Sequence, residues 1–539
     1  MERLAGYFIL SWGWKRRLLA LLAGALSALA MPPFDLFPVL FVTFPVFVWL
    51  LDATAADPSP TLIGRIAKWF ATGWWFGFGY FLAGMWWIGA ALLVEADRFA
   101  IFLPLAVLGL PAALALFWGL GALLAGALWR EGWRRVLALA FGLGVAEYLR
   151  GTILTGFPWN SIGYASMTMP LTMQKAAVLG LYGATALSVA VFAAPAILAP
   201  RIPQNRLGAM AAILLLVVAD VAFGAWRLAR FPTHMVAGVS LRLVQPAIEQ
   251  GEKWSPGAQD RSFRQLLDLS TRATSPDKPG LSGTTVLIWP ETAFPFVLTE
   301  RPDALSALGA MIPPGTVLVA GAVRVEPPAP GRKRELAFNS VYVIDDGGAI
   351  AAAADKRHLV PFGEYLPFRE LAERLGLEQV VSTPGGFEAG TGPVLLDAGA
   401  AGSFLPLICY EAIFPREAFA GAPRPDFVVN LTNDAWFGMT PGPYQHWRQA
   451  VVRGVEEGLP MVRAANDGIS SVSDPLGRVV EKAALGVRGV IDSELPAAVP
   501  ATIFSRLGEL PFLAILAVFF AISVWPGKRR RSMSALTHL

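Results

Sequence analysis

The chain has one cysteine, Cys409, which closes the apolar run Leu405-Pro406-Leu407-Ile408 and is followed at once by Tyr410 and Glu411. A lone cysteine forms no intramolecular disulfide and makes no zinc site by itself, so it is either an inert core residue or a nucleophile. Two other strand-like runs also stop at reactive groups. One ends in Trp289-Pro290-Glu291, the other in Asp355-Lys356 followed by Pro361-Phe362-Gly363-Glu364-Tyr365. Singly, each group has a plain structural account. Glu291 and Glu411 could be acids in the first turn of a helix, and Lys356 an exposed charge. Jointly they supply the parts of acyl chemistry. A thiol needs a base to take its proton, and a carboxylate in an apolar setting is tuned for that task. Attack on an acyl carbonyl then creates an oxyanion that needs a fixed positive charge. The rival Cys–His arrangement finds little support in the four histidines, of which only His358 and His446 lie well inside this region, neither with the surroundings of a triad base. No HExxH or Walker sequence is present.

The elements that must position these groups lie between about residues 231 and 507. Strand-like runs at Val236–Gln245, Thr285–Trp289, Thr316–Ala322, Ser340–Ile344, Phe404–Cys409, Phe427–Leu431 and Met461–Ala465 alternate with helix-like runs. The latter lie near Gln259–Ala273, Asp303–Met311, Phe368–Leu375, Glu411–Ala420 and Gln445–Glu457. Such alternation predicts an α/β layered domain with reactive residues on loops after strand ends. The Pro-rich stretch from Glu326 to Arg334 reads as a solvated loop.

The rest of the chain is of another kind. Of 539 residues, 55% are hydrophobic and only 16% charged, against about 25% charged in ordinary globular chains. Apolar stretches of the length a membrane-crossing helix needs, about 20 residues, recur before residue 230 and once after 508. The candidates are roughly 18–32, 36–51, 69–93, 100–128, 136–150, 176–199, 207–227 and 508–525. Positive charge follows them: Thr233–Arg506 holds 24 Lys+Arg against 30 Asp+Glu, the remainder 20 against 10. The basic excess therefore flanks apolar segments, which argues for membrane topology and against nucleic acid. With Arg3, Lys15, Arg16, Arg17, Arg65, Lys68, Arg130, Arg134, Arg135, Arg201, Arg206 and Lys528 to Arg531 inside, only Arg98, Arg150 and Lys175 fall in short outer loops. Both termini are then expected in the cytoplasm, with the α/β domain on the far side after seven crossings. Within the apolar zone, Glu147 lies three residues before Arg150 on one helical face, which predicts a structural ion pair.

Trp289-Pro290-Glu291, Lys356 with Pro361 to Tyr365, Cys409-Tyr410-Glu411 and Asn433-Asp434-Ala435-Trp436-Phe437-Gly438 resemble the carbon–nitrogen hydrolase (nitrilase) superfamily. With the apolar helices around them, the whole chain resembles its membrane-bound branch, the apolipoprotein N-acyltransferase family. The resemblance implies an αββα sandwich at 231–507, between a membrane domain at 1–230 and a final helix at 508–525, with a basic tail at 526–539. It implies Glu291 as general base, Lys356 as stabiliser of tetrahedral intermediates and Cys409 as the acyl-carrying nucleophile. Glu364 would orient the lysine, Tyr410, Glu411 and Asn339 would shape the pocket, and Trp254 and Trp436 would contact lipid or position loops. Phe157-Pro158-Trp159-Asn160, in an outer loop, would line the approach to the thiol. The implied reaction moves a fatty acyl chain from a phospholipid, in the family phosphatidylethanolamine, through a cysteine thioester to the α-amino group of the diacylglyceryl-cysteine of an apolipoprotein. It takes place at the periplasmic face of a bacterial inner membrane and implies no metal or organic cofactor. The chain departs from the family at Pro246-Ala247, where a Gly-Asn pair is common. A membrane-anchored amidase using the same three residues is the alternative, though a simple anchor needs one helix. A transporter or sensor would leave the strand-end motifs unexplained.

Overall fold

The computed structural model describes residues 2–525 apart from 58, 60, 200–205, 252–256, 328–334, 369–373, 375–378 and 380–385. Trp254, most of the helix expected near Phe368–Leu375, part of the Pro-rich loop and the basic tail therefore lie outside the described residues.

In the first half, apolar helices pack as a bundle. Five helical stretches are long and apolar enough to cross a membrane: Phe37–Ala56, Leu62–Leu93, Ala96–Ala127, Ala176–Leu198 and Leu207–Arg230. The helix Leu510–Val524 is apolar but shorter. The remaining two expected segments are also helical, at Gly13–Ser27 and Arg134–Thr152. The first helix is short, and the second carries paired charge. Helix contacts rest on small residues, as in membranes generally. A Cβ on Gly24 would come within 1.9 Å of the Phe76 carbonyl oxygen, and one on Gly79 within 2.0 Å of that of Leu21, so these two helices touch backbone to backbone.

The expected ion pair forms. Arg150 meets Glu147 at 2.6 Å with both side chains fully buried, and Trp118 Nε1 donates to Glu147 at 2.6 Å. Arg150 also donates to the carbonyls of Phe157 and Trp159 and to Ser161. The pair thus ties the end of one helix to the loop at residues 157–161, which faces the second half of the molecule. Asp220, on the apolar helix Leu207–Arg230, is paired with Lys175 at 2.7 Å.

The second half is a two-sheet sandwich of twelve strands: β1 Met235–Gln245, β2 Val286–Ile288, β3 Val317–Glu326, β4 Leu336–Ile344, β5 Ile350–Asp355, β6 Leu396–Asp397, β7 Ser403–Ile408, β8 Phe427–Thr432, β9 Met461–Ala465, β10 Ser471–Ser473, β11 Val479–Lys482 and β12 Gly489–Pro496. One sheet runs β12-β1-β2-β3-β4-β5, the other β11-β10-β9-β8-β7-β6. Strands β1 to β3 and β7 to β9 are parallel to their neighbours and the flanks antiparallel. The two-residue period of a strand sorts the side chains. Val286, Ile288, Val319, Ile408, Val429 and Leu431 meet between the sheets, whereas Leu287, Leu318 and Ala320 face outward under the helices Ala258–Thr271 and Pro302–Met311. On the other side, Leu405, Leu407 and Val428 pack with Ala450 of the helix Pro441–Glu457. This gives the expected αββα layering, fused to a helical membrane-type half.

One expected element is absent. Glu411–Ala420 is not a helix but two short 3-10 turns, Cys409–Ile413 and Glu417–Phe419. Pro415 lies between them, and proline both lacks an N–H and disfavours helical backbone in the residue before it.

Candidate active site

Three strand ends converge at one edge of the sandwich. After β2 the chain turns sharply at Pro290-Glu291-Thr292, and Thr292 has φ +44°. The turn is pinned to β3: Ala293 N donates to the Gly321 carbonyl at 2.8 Å, and Gly321 N to that of Pro290 at 3.1 Å. A Cβ on Gly321 would sit 2.5 Å from Glu291 Cα and 2.6 Å from Thr292 N, so β3 needs a glycine there for the carboxylate to reach its place. Gly321→Ala is expected to push Glu291 aside by the better part of an ångström. Misplacement on that scale costs about 10²-fold in rate, and overpacking costs about 1–3 kcal/mol of stability. Turnover and melting temperature measured together test this, and an alanine variant with native turnover would show that the turn is not so constrained.

Lys356 directly follows β5, with its backbone N–H bonded to the Asn339 carbonyl at 2.8 Å. Its ammonium is 1% exposed and meets Glu364 at 2.9 Å and Glu291 at 3.9 Å. Asn339, on β4, donates to both carboxylates, at 2.7 Å to Glu291 and 2.9 Å to Glu364. Glu364 is held in turn by the backbone N–H of Val360, at 2.8 Å. Glu291, Asn339, Lys356 and Glu364 therefore form one buried network.

Cys409 directly follows β7 in a left-handed conformation, φ +50°, at the elbow where the strand passes into the turn Cys409–Ile413. Its thiol is buried beside that network. Burial, and after it the charge of Glu291, push the Cys409 thiol well above its ordinary range, with Lys356 opposing. Burial pulls the Lys356 ammonium down, but the carboxylates of Glu364 and Glu291 outweigh it and the net shift is upward. The resting site thus holds a thiol, not a thiolate, next to a cation. Such a nucleophile acts only as its proton is taken.

Glu411 is no helix-start acid. Its carboxylate accepts from the backbone N–H groups of Ile408 at 2.7 Å, Arg357 at 2.8 Å and His358 at 3.2 Å, stitching the lysine loop to the cysteine elbow. Burial pushes its carboxyl up, while those three donors counteract it. Tyr410 turns toward the membrane-type half: its hydroxyl donates to the Gly156 carbonyl at 3.3 Å, and its ring stacks on Phe157 at 6.2 Å. Trp436 is half-buried in the turn Asp434–Phe437, and the ring that packs against Trp87 and Trp159 is that of its neighbour Phe437. Phe157, Trp159, Trp87, Phe437 and Tyr410 form an apolar wall across the junction of the two halves. At the departure from the family pattern, Ala247 has φ +47°, a region that favours Gly or Asn, and its N–H is held by the Asn466 carbonyl at 2.9 Å.

A further cluster lies against the cysteine. Asp434, His446 and Cys409 present ligand-type atoms all within 4.8 Å of one another, fully enclosed. The acid and the imidazole are already spoken for. Asp434 accepts from Arg463 at 2.7 Å and from Thr432 at 3.0 Å, and His446 Nε2 meets the Cys409 carbonyl at 3.1 Å. Asp434, in a family-type run, and a histidine 12 residues on were the only available hints.

Comparison with known proteins agrees with both halves. Residues 23–194 match the family model described as the apolipoprotein N-acyltransferase N-terminal domain, and residues 241–503 match that of carbon-nitrogen hydrolases. The chain is similar to the apolipoprotein N-acyltransferase of Rhodopseudomonas palustris, with 49% identity over 528 residues that cover 96% of each chain. It is 50% identical to that of Bradyrhizobium diazoefficiens over 98% of each chain, and 51% identical to that of Brucella suis over 92% of each. Likeness at this level runs through the helical half as well as the sandwich, and the chain belongs to the apolipoprotein N-acyltransferase family.

Proposed function

We propose that this enzyme moves a fatty acyl chain from a phospholipid to the α-amino group of a lipoprotein's N-terminal diacylglyceryl-cysteine, with Cys409 carrying the acyl group between them. The observation that carries the reading is the buried meeting of Glu291, Lys356, Glu364 and Asn339 beside the Cys409 elbow, under the apolar wall at the junction with the helical half. Glu291 takes the thiol proton as sulfur attacks the ester carbonyl. The tetrahedral oxyanion is stabilised by Lys356, and its collapse releases the lysophospholipid oxygen, which recovers the proton from Glu291. The thioester is then attacked by the lipoprotein amine. Glu291 accepts the amine proton and returns it to the departing sulfur, so that an amide forms and the Cys409 thiol is restored. Glu364 and Asn339 hold the lysine and the base in register, and the apolar wall keeps water from the thioester.

In this reading residues 1–230 form a membrane domain of about seven crossings. Residues 231–507 form the catalytic domain on the periplasmic face of a bacterial inner membrane, 508–525 the last crossing and 526–539 a cytoplasmic tail. The lysine and arginine pattern supports this orientation, and phosphatidylethanolamine is the donor the resemblance suggests.

Intact-mass spectrometry tests the reading. Purified protein incubated with phospholipid is expected to gain the mass of one fatty acyl chain. Hydroxylamine should remove it, and a diacylated lipopeptide should discharge it with formation of the triacylated product. A protein that stays unmodified in the presence of phospholipid would sink the proposal.

A further inference from the structure

His446 belongs to none of the steps above, yet it touches the nucleophile's backbone. It lies in the first turns of the helix Pro441–Glu457 and is 0% exposed. Its Nε2 is 3.1 Å from the Cys409 carbonyl oxygen. A carbonyl oxygen only accepts, so this contact requires the proton on Nε2. The other ring nitrogen, Nδ1, lies 3.1 Å from an Arg463 N–H and 2.8 Å from Asp434. Arg463, buried on β9, reaches Asp434 at 2.7 Å and Asn430 of β8, and Asn430 donates to the Leu407 carbonyl of β7 at 2.8 Å. The network therefore ties the three parallel strands of the second sheet to the carbonyl of the residue that carries the sulfur. Burial, and then the Arg463 charge, hold the His446 imidazole below its ordinary range, against the pull of the Asp434 carboxylate. With the proton on Nε2, the nitrogen meeting Cys409 has no lone pair with which to take a proton from the thiol.

The helix that bears His446 is itself fixed from the other side. Trp159 and Trp87 of the helical half donate to the neighbouring Gln445 Oε1 at 2.9 and 3.2 Å, and Gln445 Nε2 reaches the carbonyls of Pro32 and Gly84, each at 3.3 Å. Trp159 also lays its ring 5.3 Å from that of His446. Arg448, one turn away, pairs with Asp35 at 2.8 Å.

Cys409 needs such a support. A non-glycine residue at φ +50° persists only when its surroundings over-determine it. The next residue's N–H and the direction of Sγ both depend on how that peptide is turned.

We infer that His446, backed by Asp434 and Arg463 and carried on a helix clamped by the membrane-type half, is a positioning residue that holds the Cys409 carbonyl and so aims the thiol at the acyl carbon. The inference rests on the acyl-transfer reading for its substrate but not for its geometry. It makes the helical half a part of the nucleophile's support rather than an anchor alone.

The test compares His446→Gln with His446→Leu in the full-length, detergent-purified protein. Glutamine can place an amide N–H where Nε2 was but cannot serve as a base. Leucine removes the donor. The rate of thioester formation from phospholipid is expected to stay within about 10-fold of wild type in His446→Gln, with an unaltered pH profile. In His446→Leu it is expected to fall about 10²-fold, as a misaimed nucleophile should, with the KM for phospholipid unchanged. Alkylation of Cys409 by iodoacetamide is run beside it and needs no acyl donor. His446→Leu should alkylate more slowly than His446→Gln. If wild type alkylates but never acylates, the acyl-transfer reading fails while the positioning role is still measured. A His446→Gln protein that melts normally but acylates as slowly as the leucine variant would overturn the inference, since the imidazole's own proton chemistry would then be needed. Wild-type rates in His446→Leu would overturn it too. Should the leucine variant not fold, the glutamine variant decides alone: a loss beyond about 10²-fold or a displaced pH profile refutes the positioning role.

Discussion

Lys356→Met is expected to lower thioester formation by about 10²–10³-fold, because one lost oxyanion donor typically costs about 2.7–4 kcal/mol of transition-state stabilisation. It is also expected to destabilise the fold. Lys356 is 1% exposed and is the cation that Glu364 meets at 2.9 Å and Glu291 at 3.9 Å. Removing it takes the ammonium from between two enclosed carboxylates that share the amide of Asn339. Breaking a buried pair from one side costs about 3–5 kcal/mol, chiefly because the remaining charge is uncompensated. The two losses separate in a double variant. Lys356→Met with Glu364→Gln removes one orphaned charge, so much of the melting temperature should return while acylation stays low. If activity returned with stability, Lys356 would be a structural counter-ion and no more. Denaturation in detergent and single-turnover acylation followed by mass spectrometry read the two quantities independently.

Glu291 and Cys409 were legible because each sits where an apolar strand run stops, and such runs are visible in one dimension; Lys356 was legible through the run Pro361 to Tyr365 that follows it. The same patterning marked seven strands, all central or near-central in their sheets. Strand β5 escaped it: Ile350-Ala-Ala-Ala-Ala-Asp355 carries almost no β-branched or aromatic signal, and only its pairing with β4 makes it a strand. The edge strands β6 and β11, and β10 inside the latter, run for two to four residues, too short for any period to appear. Glu411 admits the plainer account of a helix-start acid in sequence because its three backbone partners lie on two separate segments, residues 357–358 and 408, which no local pattern brings together. His446 was set aside for a similar reason. Its meaning comes from Asp434, Arg463 and the Cys409 carbonyl, each on a different element, and from a tryptophan almost 290 residues earlier in the chain. Sequence shows which side chains can react. What holds them is a property of the packed sandwich and of its seat on the helical half.

Glu291→Gln carries the sharpest expectation, since it should move two observables in opposite senses. Burial and the Glu291 charge both push the Cys409 thiol up, and the Lys356 charge pulls it down. Glutamine keeps the shape and can still bond to Asn339, but it removes the repelling charge. The thiol's pKa should therefore fall, and at a given alkaline pH more of it should be thiolate than in wild type. The thiolate absorbance and the alkaline limb of iodoacetamide alkylation should both shift to lower pH. Acyl transfer should nevertheless drop by about 10²–10⁴-fold, the usual worth of a positioned general base. A more ionised sulfur in a slower enzyme is intelligible only if proton removal must be timed to attack on the ester and must be repeated when the amine arrives. A substituted enzyme that kept its transfer rate would pass the role of base to another group. A thiol whose titration moved upward would mean that the carboxylate is not charged beside the sulfur in the resting site, and the proposed division of labour between Glu291 and Lys356 would fall with it.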